Sequence, residues 1–282
     1  MADITVDSRL FGLKDVNVHV DDHGGEGRPV VLIHGWPLSG ESWSEQLGAL
    51  KDAGLRVITY DRRGFGRSDK PRTGYDYDTL SDDLAGLIEA LDLRDVSLVG
   101  FSMGGGEVAR YIARHGEERL HSVVFAAAVP PMMMKGPNNP DGPLEPSEAS
   151  EMSAQLSADR EKFFEGFVSQ FFSANGEGPV LVSEAQRQDA LRLTAMADKA
   201  AALEAMQSFG LTDFREDLKR ITVPTLVLHG DADGIVPFEG SGRRTHEAVA
   251  HSELVLVPGA PHGLNVSHAD EFNRALLDFL TR

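Results

Sequence analysis

The chain has no cysteine among its 282 residues, which excludes disulfides, a thiol nucleophile and thiolate metal sites. Positive charge is also scarce. Lys and Arg number 27 against 44 Asp and Glu, a formal net charge of −17. Nucleic acid and anionic membrane would both repel such a surface, so neither is expected as a partner. No apolar run is long enough to cross a bilayer; the longest, over 123–134, is interrupted by Pro130 and Pro131. The first residues, Met1-Ala2-Asp3-Ile4-Thr5-Val6-Asp7, lack the basic region and apolar stretch of a signal peptide. A cytoplasmic globular protein is the expectation, and a homo-oligomer stays open.

What is present is an alternation. Short β-branched runs at 30–34, 57–60, 96–100, 123–127, 225–229 and 254–258 are separated by stretches of helical periodicity. That order predicts a mostly parallel twisted sheet flanked by helices, an α/β architecture with right-handed crossovers. The runs are nearly all apolar, as for strands buried on both faces. A helix is expected over 79–91, opened by a Thr79-x-x-Asp82 cap, with Leu80, Leu84, Leu87 and Leu91 along one side. Others are expected over 107–115, stopped by Gly116, and over 270–280.

The alternation fails between 130 and 214. There the sequence is helical, and Phe163, Phe167 and Phe171 recur at i, i+4, i+8 beside Phe164, Val168 and Phe172. This reads as a helical cap inserted into a core made of 1–129 and 215–282. Most of these rings should pack the cap onto the core, and one or two should overhang the site.

The most informative motif is Gly100-Phe101-Ser102-Met103-Gly104, placed between an apolar strand and a helix. This is the order of a nucleophile elbow: a serine at the tip of a strained turn, with glycines two residues to either side where side chains would collide. A serine needs a base and a third group that orients the base. Of ten histidines, His262 fits, in Gly259-Ala260-Pro261-His262-Gly263 just after the last expected strand. The acid should follow the 225–229 strand, where Asp231 and Asp233 compete. Asp233 is preferred, because Asp231 is better placed to bond backbone N–H groups of the turn. The Asp231-Ala232-Asp233-Gly234 run resembles a calcium loop, but its twelfth position is Gly242, so no metal is expected. The oxyanion donors should be the N–H groups of Met103 and Trp36, since Pro37 has none. His34 should anchor its loop by hydrogen bonds, and the turn over 61–68 should be architectural.

HGWPLSG from His34, DRRGFGRSDKP from Asp61, GFSMGGGEVARYIARHG from Gly100, HGDADGIVPFE from His229 and GAPHG from Gly259 together resemble the α/β-hydrolase superfamily. Within it they resemble the cofactor-free haloperoxidase, or aryl esterase and perhydrolase, family. The resemblance implies the α/β-hydrolase fold and the triad Ser102, Asp233 and His262, with the Trp36 and Met103 amides as oxyanion hole. It also implies a substrate pocket lined by Trp36, Phe125, Ile235 and Phe238. The expected activity is cofactor-free hydrolysis of small carboxylic esters through an acyl-enzyme, with perhydrolase or haloperoxidase side activity. Lactones, amides, a C–C bond substrate or a slow-turnover ligand receptor remain the alternatives. Haloalkane dehalogenases and epoxide hydrolases place aspartate at the elbow, and Ser102 excludes that route.

Overall fold

The six apolar runs become neighbouring strands of one sheet in a computed structural model, which describes residues 2–6 and 16–282. In chain order the strands are β1 (Ala2–Val6), β2 (Val16–Asp22), β3 (Pro29–Ile33), β4 (Arg56–Tyr60), β5 (Val96–Phe101), β6 (Leu120–Ala126), β7 (Thr225–Gly230) and β8 (Glu253–Val257). In space they run β1-β2-β4-β3-β5-β6-β7-β8. All pairs from β4 to β8 are parallel, whereas β1–β2 and β2–β4 are antiparallel. The two antiparallel strands are additions to the sequence reading. In β2 the residues Val16, Val18 and Val20 alternate onto the buried face, a period-two signal that a search for continuous apolar runs passes over. The reading of Met1–Asp7 as free of a signal peptide falls partly outside the described residues, as does everything from 7 to 15.

Before β6 the helices are α1 (Ser44–Asp52), α2 (Tyr77–Ala90) and α3 (Met103–His115). The segment between β6 and β7 carries α4 (Pro146–Ala158), α5 (Arg160–Phe171), α6 (Glu184–Met196), α7 (Lys199–Leu211) and α8 (Arg215–Leu218). After β7 come α9 (Gly242–Ala248), α10 (Leu264–Ser267) and α11 (Ala269–Leu280). Helix α2 packs on α3 and α1 on α11, flanking the sheet.

Three local expectations need correction. Helix α2 begins at Tyr77, capped by Asp76, whose carboxylate accepts 2.9 Å bonds from both the N–H and the hydroxyl of Thr79. A carboxylate at the helix N-terminus gains from the dipole as well, so it takes the cap from Thr79. Asp82 turns instead to Arg114 and His115. Helix α3 starts at Met103 rather than 107, leaving no linker after the nucleophile. Strand β8 is an edge, and Leu254 and Leu256 are 37% and 38% exposed rather than buried on both faces.

Gly104 sits where α3 crosses β3. A Cβ there would lie 2.5 Å from the Ile33 carbonyl oxygen, a backbone atom that cannot swing aside. Gly104→Ala should therefore destabilise the fold by about 1–3 kcal/mol. At exposed Gly48 in α1, an added methyl would meet nothing within 4 Å, so Gly48→Ala should stabilise by roughly 0.5–1 kcal/mol. Urea unfolding of the two variants checks the opposite signs.

Candidate active site

The sheet ends where the elbow begins. Ser102 follows β5 directly, with φ +54° and ψ −118°, a conformation costly for a residue with a Cβ. Its surroundings hold it there. The Ser102 N–H donates to the Ala126 carbonyl at 2.9 Å, and its own carbonyl accepts from Gly105 and Val129. At Gly100 a Cβ would stand 2.5 Å from the Gly104 carbonyl oxygen, so the turn closes this tightly only on glycine.

The loops after β7 and β8 bring the partners. His262 Nε2 lies 3.0 Å from Ser102 Oγ, and His262 Nδ1 lies 2.7 Å from Asp233 Oδ2. All three side chains are buried. The other Asp233 oxygen accepts from the N–H groups of Ile235 and Val236, at 2.9 and 2.8 Å, which fixes the carboxylate plane. Burial pushes the Asp233 carboxyl up, but His262 and His229 outweigh it and hold the group well below the usual carboxylate range. Asp233 is therefore an anion throughout the working pH range, aimed at the imidazole Nδ1.

Asp231 does something else. It is exposed, and its Oδ1 accepts from the Gly259 N–H at 2.6 Å, strapping the β7 loop to the loop that carries His262. The sequence placed it within its own turn; the bond instead spans 28 residues. His229, in β7, is a supporting group. Its Nε2 lies 2.8 Å from the Val236 carbonyl and 3.3 Å from Asp233 Oδ2. The sequence held no signal for this beyond its position four residues before Asp233.

His34 anchors its loop. Its Nδ1 lies 2.8 Å from the Gly35 carbonyl and its Nε2 accepts from the Arg62 N–H at 3.0 Å. Burial and the Arg62 charge hold this histidine well below its ordinary range, and with both ring nitrogens engaged by backbone groups it has no lone pair free to serve as a rival base. The turn over 61–68 is architectural: Asp61 accepts from the N–H groups of Gly40 and Arg67, both at 2.8 Å. The Trp36–Pro37 bond is cis, and the Trp36 indole N–H donates to the Ala202 carbonyl of α7 at 2.9 Å. Met103, as first residue of α3, has a backbone N–H with no intrahelical partner.

Above Ser102 lies a cavity of about 460 Å³ under the helices of the 130–214 segment. Trp36 and Ile235 line it, as expected, together with Phe167, Phe209 and four methionines. No lining side chain is charged. Two expected pocket residues do not reach it. Phe125 is buried in β6 and faces α3 at Gly105, because β6 pairs on both sides and its rings fill the sheet–helix layer. Phe238 packs on His229, centroids 5.6 Å apart, outside the cavity. The phenylalanines that do line it are Phe167 of α5 and Phe209 of α7, with Phe171 of α5 packed beside the triad outside the lining. Phe167 stands 5.1 Å from Trp36, and Phe171 meets the His262 ring edge-on at 4.9 Å. Among the described residues no cluster of His, Asp and Glu could hold a metal ion, and no helix is long and apolar enough to cross a membrane.

The two aspartates separate in a direct test. Asp233→Asn should lower ester kcat by about 10⁴-fold, since the amide favours the wrong imidazole tautomer. Asp231→Asn, which keeps an oxygen for Gly259, should cost less than about tenfold. Steady-state kinetics of both variants, with folding checked by circular dichroism, decides; a larger loss for Asp231→Asn would exchange their roles.

Comparison with known proteins agrees with this geometry. Residues 28–269 match the family model described as alpha/beta hydrolase fold. A non-heme chloroperoxidase of Kitasatospora aureofaciens is 46% identical, over 92% of this chain and 94% of that protein. A bifunctional esterase/perhydrolase of Acinetobacter calcoaceticus is 38% identical, over 94% and 96%. The crystal structure of a bromoperoxidase from Bacillus anthracis superposes with a TM-score of 0.94 at 48% identity, covering 100% and 99% of the two chains. With a serine elbow, a hydrogen-bonded Ser–His–Asp relay and this likeness along its length, the chain belongs to the α/β hydrolase fold family, in its non-heme haloperoxidase and esterase branch.

Proposed function

We propose that this protein is a serine esterase that cleaves small, uncharged carboxylic esters through an acyl-enzyme and passes the acyl group to water or to hydrogen peroxide. The carrying observation is the continuous hydrogen-bonded line from Ser102 Oγ through His262 to Asp233. Ser102 Oγ attacks the ester carbonyl while His262 Nε2 takes its proton. Asp233 stabilises the imidazolium through Nδ1. The developing oxyanion is held by the N–H groups of Met103 and Trp36, with the positive end of α3 behind the first. His262 returns the proton to the departing alcohol, then deprotonates the water that frees the acid. Hydrogen peroxide in place of water yields a peracid, which oxidises halide away from the site. None of these steps calls for a metal, haem or flavin.

The 130–214 segment acts as the cap, and its lining sets substrate class. An uncharged wall offers a neutral ester apolar contact, whereas a carboxylate finds no cation there and only the neutral donors Ser150, Ser153 and Gln207 in exchange for its lost hydration. The relatives' printed activities, esterase/perhydrolase and chloroperoxidase, support the same reading. We place the protein in the cytoplasm and take a small-molecule ester as its partner.

A neutral short-chain nitrophenyl ester should exceed its ω-carboxylate analogue in kcat/KM by at least about 100-fold. Ser102→Ala should lose fluorophosphonate labelling, ester turnover and dye bromination in acetate with peroxide. Retention of all three by that variant would remove the serine mechanism.

A further inference from the structure

The cavity wall is rich in sulfur. Four of the chain's eight methionines line it: Met133 and Met134 from the segment after β6, Met152 from α4 and Met206 from α7. Three separate elements thus converge on one space, and Ser102 opens into that space. Met133 and Met206 are only 3% and 6% exposed, so the cavity they line is their route to solvent. Met132 and Met196 are half-buried and lie outside the lining, while Met103 is fully buried at the elbow. A thioether fills irregular space well, but it is also the side chain that a peracid oxidises most readily in a protein without cysteine.

We propose that Met133, Met134, Met152 and Met206 are sites of oxidation by the peracid formed at Ser102, and that this oxidation restrains the enzyme's own turnover of apolar esters. The proposal rests on the peroxide arm of the function given above. The step balances with what that arm supplies. The peracid's O–O bond breaks, its terminal oxygen bonds to sulfur, and the proton that oxygen carried passes to the acyl carbonyl oxygen, leaving the carboxylic acid. Sulfur is oxidised by two electrons and the peroxidic oxygen is reduced. The product is a sulfoxide: polar, chiral and strongly accepting, in a mostly apolar wall whose polar side chains besides Ser102 are Ser150, Ser153 and Gln207. An apolar ester then meets a group it must desolvate without replacing its hydrogen bonds, and KM rises. Reduction of the sulfoxide back to the thioether by a sulfoxide reductase reverses the change.

The experiment incubates the purified protein with hydrogen peroxide, bromide and ethyl acetate as the neutral acyl donor, and maps added oxygen by peptide mass spectrometry. Dye bromination is followed in the same tube. The expected result is oxygen on the four cavity methionines ahead of Met132 and Met196, with KM for a butyrate ester raised about tenfold and restored by methionine sulfoxide reductase. In Ser102→Ala under the same mixture, the four should remain at the level peroxide alone produces. The set Met133→Leu, Met134→Leu, Met152→Leu and Met206→Leu keeps near-equal volume without sulfur; its KM, compared with its own starting value, should not drift during turnover. Bromination with unmodified cavity methionines, or equal oxidation inside and outside the cavity, would overturn this inference alone. Absence of bromination would remove the peracid and with it the peroxide arm as well.

Discussion

Arg62 carries a charge that has no access to water, and the site depends on how that charge is satisfied. Its side chain is 1% exposed and pairs with Glu107, which is 0% exposed. It also donates to the His34 carbonyl at 2.7 Å, and Tyr60 donates to the other Glu107 oxygen at 2.6 Å. Burial pushes the Glu107 carboxyl up against the pull of Arg62 and Tyr60. A buried charge stripped of its partner costs several kcal/mol, so these groups are present together or the region does not form. The pair joins the loop after β3, the loop after β4 and helix α3. Those segments carry Trp36 on one side and Ser102 and Met103 on the other. Backbone geometry at Trp36 and Met103, the proposed oxyanion donors, is therefore set one layer beneath them. The neighbouring Arg63–Asp83 pair, also buried, extends the same bracing to α2.

How much of this the sequence made legible follows from the range of each interaction. The elbow was readable because part of its cause is local: a Cβ at Gly100 would meet the Gly104 carbonyl oxygen within the same turn, while Gly104 is required by its approach to Ile33 of β3. His262 and Asp233 were readable because a parallel sheet sends the loops after its strands to one end. Cap chemistry at Asp76 was misread, since Asp and Thr compete for the same amides and only geometry decides. The antiparallel β1–β2 extension was missed because alternation of the β2 kind says how a strand is buried and nothing about its partner. Phe125 and Phe238 were assigned to the pocket by resemblance. The face a ring presents depends on strand register and on the loop path after Val236, neither of which a motif encodes.

Water is kept from His262 jointly by helix α5 and the end of strand β5. Phe171 stands edge-on to His262 while Phe101 lies against the same ring at 5.2 Å. A dry imidazole between two rings keeps its two hydrogen bonds, to Asp233 and Ser102, free of competing solvent, and those contacts are stronger for it. Trp36 performs the coupling. Its indole touches Phe164 and Phe167 of α5, and its N–H is tied to the Ala202 carbonyl of α7. The residue proposed to hold the oxyanion is thus also the one that ties α5 and α7 to the loop after β3.

Charge is then distributed in a way that favours turnover in one direction. The chain carries a formal −17 outside, whereas the cavity wall carries no charged side chain. A neutral ester and hydrogen peroxide both cross the acidic surface without penalty. Hydrolysis converts the ester into a carboxylate, which a wall with only neutral donors solvates less well than water does and which the surrounding potential repels. Substrate is held by burial of apolar surface, and product loses that hold as it ionises. Since release often limits such enzymes, a cavity without a cation is part of the catalytic design: an arginine placed there to bind the acyl group more tightly would bind the product more tightly still.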